Sequence, residues 1–111
     1  MRESAIERKL KTEIEKLGGL CMKLDPAFIK GSPDRLIILP TGLVWFVELK
    51  NETGSFSKLQ IYLLKKLRDL GVSCWSIHSA GDVKTFIDWN ETLIGERKKL
   101  YESLELSGRC C

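Results

Sequence analysis

The sequence contains no apolar run approaching the roughly 20 residues that a membrane-spanning helix requires, and it opens on Met1-Arg2-Glu3, charged and acidic where a secretory leader is apolar. Neither membrane insertion nor export is indicated, and a cytoplasmic setting is expected. Histidine is nearly missing: His78 stands alone, which argues for a structural role. The four cysteines form no CxxC pair. Cys21 and Cys74 sit singly in apolar segments and Cys110-Cys111 end a polar tail, so buried thiols are expected at the first two in place of redox or zinc chemistry. A phosphate-binding glycine loop is absent too, because Gly18-Gly19 lacks the downstream glycine and Lys-Ser/Thr that such a loop needs. No nucleophilic triad, internal repeat or low-complexity segment is recognisable. Strong charge of one sign is also lacking: a net charge of +3 suits a phosphate backbone as partner but decides nothing alone.

What remains is a globular composition, 43% hydrophobic and 30% charged, which argues against a disordered chain. Its 111 residues suffice for one core of two or three layers and not for a second. Ile6, Leu10, Ile14 and Leu17 recur at helical spacing, which predicts a helix over 4–17 that Gly18-Gly19 stops. Leu20 to Leu24 and Arg35 to Leu39 read as strands, the first ended by Asp25-Pro26 and the second by the turn Pro40-Thr41-Gly42. Leu43 to Lys50 follows so closely that it must pair antiparallel with the preceding strand, and its unbroken apolarity predicts a central strand covered on both faces. A loop over 51–56 leads to a helix from Ser57 through Leu70 with Gly71 as its stop. Val72 to His78 is a fourth strand, parallel to the third, and Ser79 to Asn90 a last core helix. The expected fold is α/β, in the order α-β-β-β-α-β-α, a mixed four-stranded sheet flanked by helices. Residues 1–90 then form the domain. Residues 91–111, charged and anchored only by Leu93, Leu100 and Leu104, are expected to be a marginal helix or a mobile tail.

The chemistry concentrates in Gly31-Ser32-Pro33-Asp34 and, fourteen residues on, Glu48-Leu49-Lys50. Side chains at i and i+2 of a strand point the same way, so Glu48 and Lys50 share a face. If 40–42 is the turn, Asp34 at the start of one hairpin arm lies beside them at the end of the other. Two carboxylates suit Mg²⁺ while leaving room for water and a phosphate oxygen, and such an ion acidifies water and offsets charge on a breaking ester. Lys50 is placed to orient that water or to stabilise the transition state. A surface salt bridge is the bland alternative. It is disfavoured because Val47 and Leu49 interleave the charges, and half-buried charges are seldom kept without pairing or function.

Gly31-Ser32-Pro33-Asp34-Arg35, Val47-Glu48-Leu49-Lys50 and Ser57-x-x-Gln60 resemble the VRR-NUC (virus-type replication-repair nuclease) domain over roughly residues 3–90. The resemblance implies a restriction-endonuclease-like PD-(D/E)xK core, related in fold to archaeal Holliday junction resolvases. It implies Asp34, Glu48 and the Leu49 carbonyl as metal ligands, Lys50 as the catalytic lysine and Gln60 as an active-site residue. Mg²⁺, with Mn²⁺ able to substitute, is the implied cofactor and no organic one is implied. The implied activity is endonucleolytic cleavage of DNA, branched DNA such as four-way junctions above all, by a homodimer whose two sites serve two symmetric strands. A catalytically silent DNA-binding or assembly module, or a restriction-like duplex nuclease, are the alternative readings.

Two residues carry a second interpretation. Gln60 closes the capping box Ser57-x-x-Gln60 as well as matching the family's site. Family nucleases also use a glutamate on the first helix, for which Glu7 is favoured over Glu3, although Ser4-Ala5-Ile6-Glu7 also reads as a capping box. DNA contacts are expected from Lys23, Lys30, Arg35, Lys58, Lys65 and Lys66, each of which has a solvated surface charge as its ordinary role.

Overall fold

A computed structural model describes residues 2–25, 30–51 and 53–106. Pro26, read above as a strand stop, and Cys110-Cys111 lie outside the described residues. The elements follow the expected order: α1 (Glu3–Lys16), β1 (Leu20–Lys23), β2 (Arg35–Leu39), β3 (Leu43–Leu49), α2 (Lys58–Asp69), β4 (Cys74–Ile77) and α3 (Ala80–Leu106). The strands form one sheet ordered β1-β2-β3-β4, antiparallel except for the parallel β3–β4 pair. The architecture is α/β, a mixed four-stranded sheet flanked by helices. Among the described residues no helix is long and apolar enough to cross a membrane.

Strand alternation decides which side of the sheet is core. The register pairs Ile37 with Trp45 and Val47 with Trp75, so odd-numbered positions share a face. That face meets α1 and α3. Ile6, Leu10 and Ile14 of α1, Ile37, Val47, Leu49 and Ile77 of the sheet, and Val83, Phe86 and Ile94 of α3 are buried together. Each such side chain contributes about 1.5–3 kcal/mol by leaving water. Phe86 meets Trp45 and Trp75 edge to face, with centroids 5.4 and 5.7 Å away. The buried amide of Asn90 satisfies the layer's polar groups: its Oδ1 accepts from Trp45 Nε1 at 2.7 Å and its Nδ2 donates to the Phe86 carbonyl at 2.8 Å.

The opposite face is only partly covered, since α2 packs mainly on β4 and buries none of its residues fully. β3 is internal to the sheet, but the expectation of cover on both faces holds only for its last three residues, Val47 to Leu49. Val44, Leu20 and Met22 stay exposed on the open face.

Helix boundaries differ in two places. α1 starts at Glu3 with Arg2 as N-cap and no side-chain cap, so the box expected at Ser4 is not formed and Ser4 and Glu7 lie inside the helix. α3 runs without a break past Asn90 to Leu106, through the segment expected to be a marginal helix or mobile tail. Its later turns dock on the hairpin turn. Arg97 Nε and Nη2 donate to the Thr41 carbonyl at 3.2 and 2.9 Å, and the Tyr101 hydroxyl donates to the same oxygen at 3.1 Å. These bonds hold Thr41 at φ 69°, unusual for a β-branched residue.

Candidate active site

The hairpin register carries Asp34 to Glu48. β2 and β3 pair Arg35 with Val47 and Leu36 with Phe46 around the Pro40–Gly42 turn. Extended by one residue, that pairing sets Asp34 against Glu48. The two carboxyl groups share a hydrogen bond. Asp34 Oδ1 also accepts from the Leu49 amide at 3.2 Å, and its main-chain oxygen accepts from the Leu24 amide at 2.9 Å. Lys50 follows on the same face as Glu48, with Nζ 3.9 Å from Glu48 Oε1.

The segment before Asp34 is held by a close approach. Gly31 has φ +80°, and a Cβ there would sit 2.8 Å from the Leu59 side chain and 3.1 Å from its backbone. Only glycine lets this turn lie against the start of α2 without displacing it. The contact brings the Asp34 loop and Gln60 to the same sheet end. Gln60 forms its expected cap and also reaches Glu48. Its Oε1 accepts from the Ser57 amide at 2.9 Å while Ser57 Oγ accepts from the Gln60 amide at 3.1 Å, which completes the capping box. Its Nε2 donates to Glu48 Oε1 at 3.5 Å.

Electrostatics set these carboxyls apart from the rest of the surface. Burial pushes Glu48 up from 4.5 to about 7, and the adjacent Asp34 charge, the shared hydrogen bond and Glu3 add to the rise, which Lys50 opposes. Burial also lifts Asp34 above its ordinary value, held back by the Arg35 guanidinium and by the hydrogen bonds from Leu49 and Glu48. The pair therefore retains a proton where two exposed carboxylates would both be ionised.

The helix-one glutamates separate. Glu3, exposed at the first turn of α1, acts electrostatically on both Asp34 and Glu48. Glu7 Oε2 pairs with Arg35 Nη2 at 2.8 Å. Arg35 is placed otherwise than expected. It is 4% exposed, on the odd-numbered face with Ile37 and Leu39, and is engaged with Glu7 and with the Asp34 carbonyl, so it is no surface phosphate contact. Lys23, Lys30 and Lys58 are exposed around the site: Lys23 pairs with Arg35 in register, Lys30 precedes the Gly31 turn, and Lys58 begins α2. Lys65 and Lys66 are exposed two turns further along α2.

One neighbour has no motif to announce it. Phe56 lies with its ring centroid 5.7 Å from Lys50 Nζ, and His78 meets Phe56 edge to face at 5.7 Å. An aromatic residue one position before a helix cap, one loop beyond the lysine, was the available signal.

No family model matches the sequence. A solved structure described as a "VRR_NUC domain" superposes on the chain with a TM-score of 0.72 and 33% identity, over 78% of this chain and 94% of that one. The chain belongs to the VRR-NUC family. A second similarity is to "Putative nuclease p44" of Acyrthosiphon pisum secondary endosymbiont phage 1, 44% identical over 50 residues, or 45% of this chain; the match spans 54% of that relative's length. Within the VRR-NUC fold, the grouped carboxyls, lysine and glutamine occupy one end of the sheet, at the β2–β3 pair and the start of α2.

Proposed function

We propose that the chain is a divalent-metal-dependent endodeoxyribonuclease whose site comprises Asp34, Glu48, Lys50 and Gln60. The observation that carries this reading is the contact between the buried Glu48 carboxyl and the half-buried Asp34 carboxyl, flanked by a lysine and an amide, in a fold whose family is that of a nuclease domain. Folding brings like charges together at a cost, and an oxygen-preferring dication is the partner that turns the cost into binding. Among the described residues no three His, Cys, Asp or Glu side chains gather as a metal cluster. The donor set that the family resemblance implies is Asp34, Glu48 and the Leu49 carbonyl, with water and substrate oxygens completing the shell. It fits Mg²⁺ or Mn²⁺, both hard ions that keep several waters.

When bound, the ion supplies Lewis-acid activation of water and neutralisation of phosphate charge. The protein's own groups do the rest. Lys50, held beside Glu48, is placed to orient the attacking water or to balance charge on the phosphate. Gln60 fixes the Glu48 carboxylate through Nε2, and its own orientation is fixed by the cap. Glu3 is the helix-one carboxylate facing the pair. Lys23, Lys30 and Lys58 supply phosphate contacts on the rim, so affinity for DNA falls with salt.

The family resemblance directs the choice of substrate to branched DNA, four-way junctions above all, cut by a homodimer. The exposed Leu20, Met22 and Val44 on the open sheet face favour association, as apolar surface of this kind is costly in water. The deciding experiment incubates labelled four-way junction, flap and duplex DNA with Mg²⁺, Mn²⁺ or chelator. Metal-dependent cutting that is lost in Asp34→Asn and Lys50→Ala, with DNA binding kept, supports the reading. DNA binding without cutting in any metal identifies a silent binding module, and cutting of plain duplex at a fixed sequence identifies a restriction-like enzyme.

A further inference from the structure

We infer that Glu7 and Arg35 form a positioning pair for Asp34, so that Glu7 serves the site through Arg35 and touches neither metal nor substrate. The inference rests on the metal-nuclease reading above. Its starting point is an arginine where the strand pattern calls for an apolar residue. Arg35 shares its face with the buried Ile37 and Leu39, and it is itself 4% exposed. A buried guanidinium is tolerated only when paired and hydrogen-bonded, and an aliphatic side chain there costs nothing of the kind.

The guanidinium bridges two elements. Nη2 meets Glu7 Oε2 on α1 at 2.8 Å, while Nη1 donates to the Asp34 carbonyl at 2.9 Å and lies 3.7 Å from Asp34 Oδ1. Asp34 is thus held at four points besides the hydrogen bond it shares with Glu48. Its carbonyl takes Arg35 and the Leu24 amide, and its carboxylate takes the Leu49 amide and the edge of the guanidinium. Glu7 occupies one edge of the fork, which keeps Arg35 from closing fully on the Asp34 carboxylate and competing with a cation there. Lysine cannot reproduce this, since a single ammonium does not span both partners in a fixed fork.

A plain staple between α1 and β2 would change stability alone, whereas a positioning pair changes metal affinity, as partners that orient a ligand do. The test is calorimetric titration of the metal-free chain with Mn²⁺, without DNA, for the unsubstituted chain, Glu7→Gln, Arg35→Met, the double variant and the charge-conserving Arg35→Lys. Glu7→Gln is expected to weaken Mn²⁺ binding about tenfold, and Arg35→Lys by about as much. Glu7→Gln added to Arg35→Met is expected to change affinity by less than about twofold, because its intermediary is gone. An equal loss from Glu7→Gln in both backgrounds makes Glu7 a direct participant and overturns the inference, as does Mn²⁺ binding unchanged in both Glu7→Gln and Arg35→Lys. Should Arg35→Met fail to fold, unchanged affinity in Arg35→Lys alone overturns it. An unsubstituted chain that binds no Mn²⁺ and cuts no DNA sinks the nuclease reading and the pair together; one that binds and cuts while Glu7 acts independently of position 35 sinks only the pair.

Discussion

Replacing Glu48 by glutamine is expected to make the metal-free protein more stable, and only above a definite pH. The carboxyl titrates near 4.5 in an unfolded chain and at about 7 in the folded one, so folding favours its protonated form. Below 4.5 both states hold the proton and there is no penalty. Between 4.5 and 7 the unfolded chain releases its proton while the folded one keeps it, and stability falls as pH rises. Above 7 the full penalty of a buried charge is present. A displacement of this size corresponds to about 3 kcal/mol. Glutamine is neutral at every pH and can still donate to Asp34 and accept from Gln60 Nε2. The 3.9 Å pairing with Lys50 that it forfeits is already contained in the displacement to about 7, which Lys50 opposes, and subtracts nothing further.

The net expectation for Glu48→Gln is a gain of about 3 kcal/mol at about pH 8, shrinking to nothing near pH 4.5. For a domain of this size the gain raises the melting temperature by about 13 °C. Circular dichroism melts or urea titrations with chelator, run across that pH range on both proteins, measure it directly. Mn²⁺ should then reverse the ranking, stabilising the unsubstituted chain by mass action while leaving Glu48→Gln where it was. A variant that is less stable at high pH, or a difference that does not change with pH, would refute the reasoning that this end of the sheet stores unfavourable charge.

Other perturbations separate architecture from chemistry. Ser57→Ala and Gln60→Ala each remove half of the capping box and should each cost about 1 kcal/mol in urea titrations, but only Gln60→Ala, which also strips the donor from Glu48, should lower metal-dependent cleavage. Gly31→Ala forces a Cβ against the Leu59 backbone at positive φ, so it should destabilise by about 1–3 kcal/mol and displace Asp34, read as a loss of Mn²⁺ affinity along with stability. Asn90→Leu leaves the Trp45 indole N–H without its 2.7 Å acceptor and should lower unfolding free energy by about 1–3 kcal/mol with no effect on metal binding. Thr41→Gly relieves a positive φ and removes a buried hydroxyl that has no partner; a stabilisation of about 1 kcal/mol is expected after the added chain entropy of glycine.

Much of this site is legible in the sequence because one turn fixes it. Once Pro40-Thr41-Gly42 is read as the hairpin turn, the register that aligns Arg35 with Val47 also aligns Asp34 with Glu48, and period-two alternation puts Lys50 beside them. Gln60 is legible for a different reason, since the capping box fixes where α2 starts. Arg35 was harder. A cation next to a carboxylate motif reads as a phosphate contact, yet its alternation with Ile37 and Leu39 already put it on the buried face, and pattern outranks charge in a strand with one covered side. The two helix-one glutamates are four residues apart, and periodicity cannot choose between them. What separates them is tertiary: Glu3 continues the Ile6–Leu10–Ile14 line toward the sheet end, whereas Glu7 flanks it and meets Arg35. The persistence of α3 to Leu106 was illegible for a similar reason, because Arg97 and Tyr101 find their partner in the Thr41 carbonyl, 56 and 60 residues away in sequence.

The two ends of the hairpin thus carry opposite loads. At the turn, Arg97 and Tyr101 satisfy a strained carbonyl and fasten the last helix to the sheet; at the open end, two carboxyls are pressed together with too few donors to ionise both freely. A protein selected for stability alone would place apolar or singly charged residues at positions 34 and 48, because the surrounding Val47, Leu49 and Ile77 already supply the core. That the costly arrangement stands on the most firmly packed part of β3, and not on the exposed half near Val44, follows if the carboxyls must be held still for a third body. On the proposed metal-nuclease reading, rigid support would bring a dication's ligands together before it arrives, and the free energy withheld from folding would be recovered on binding.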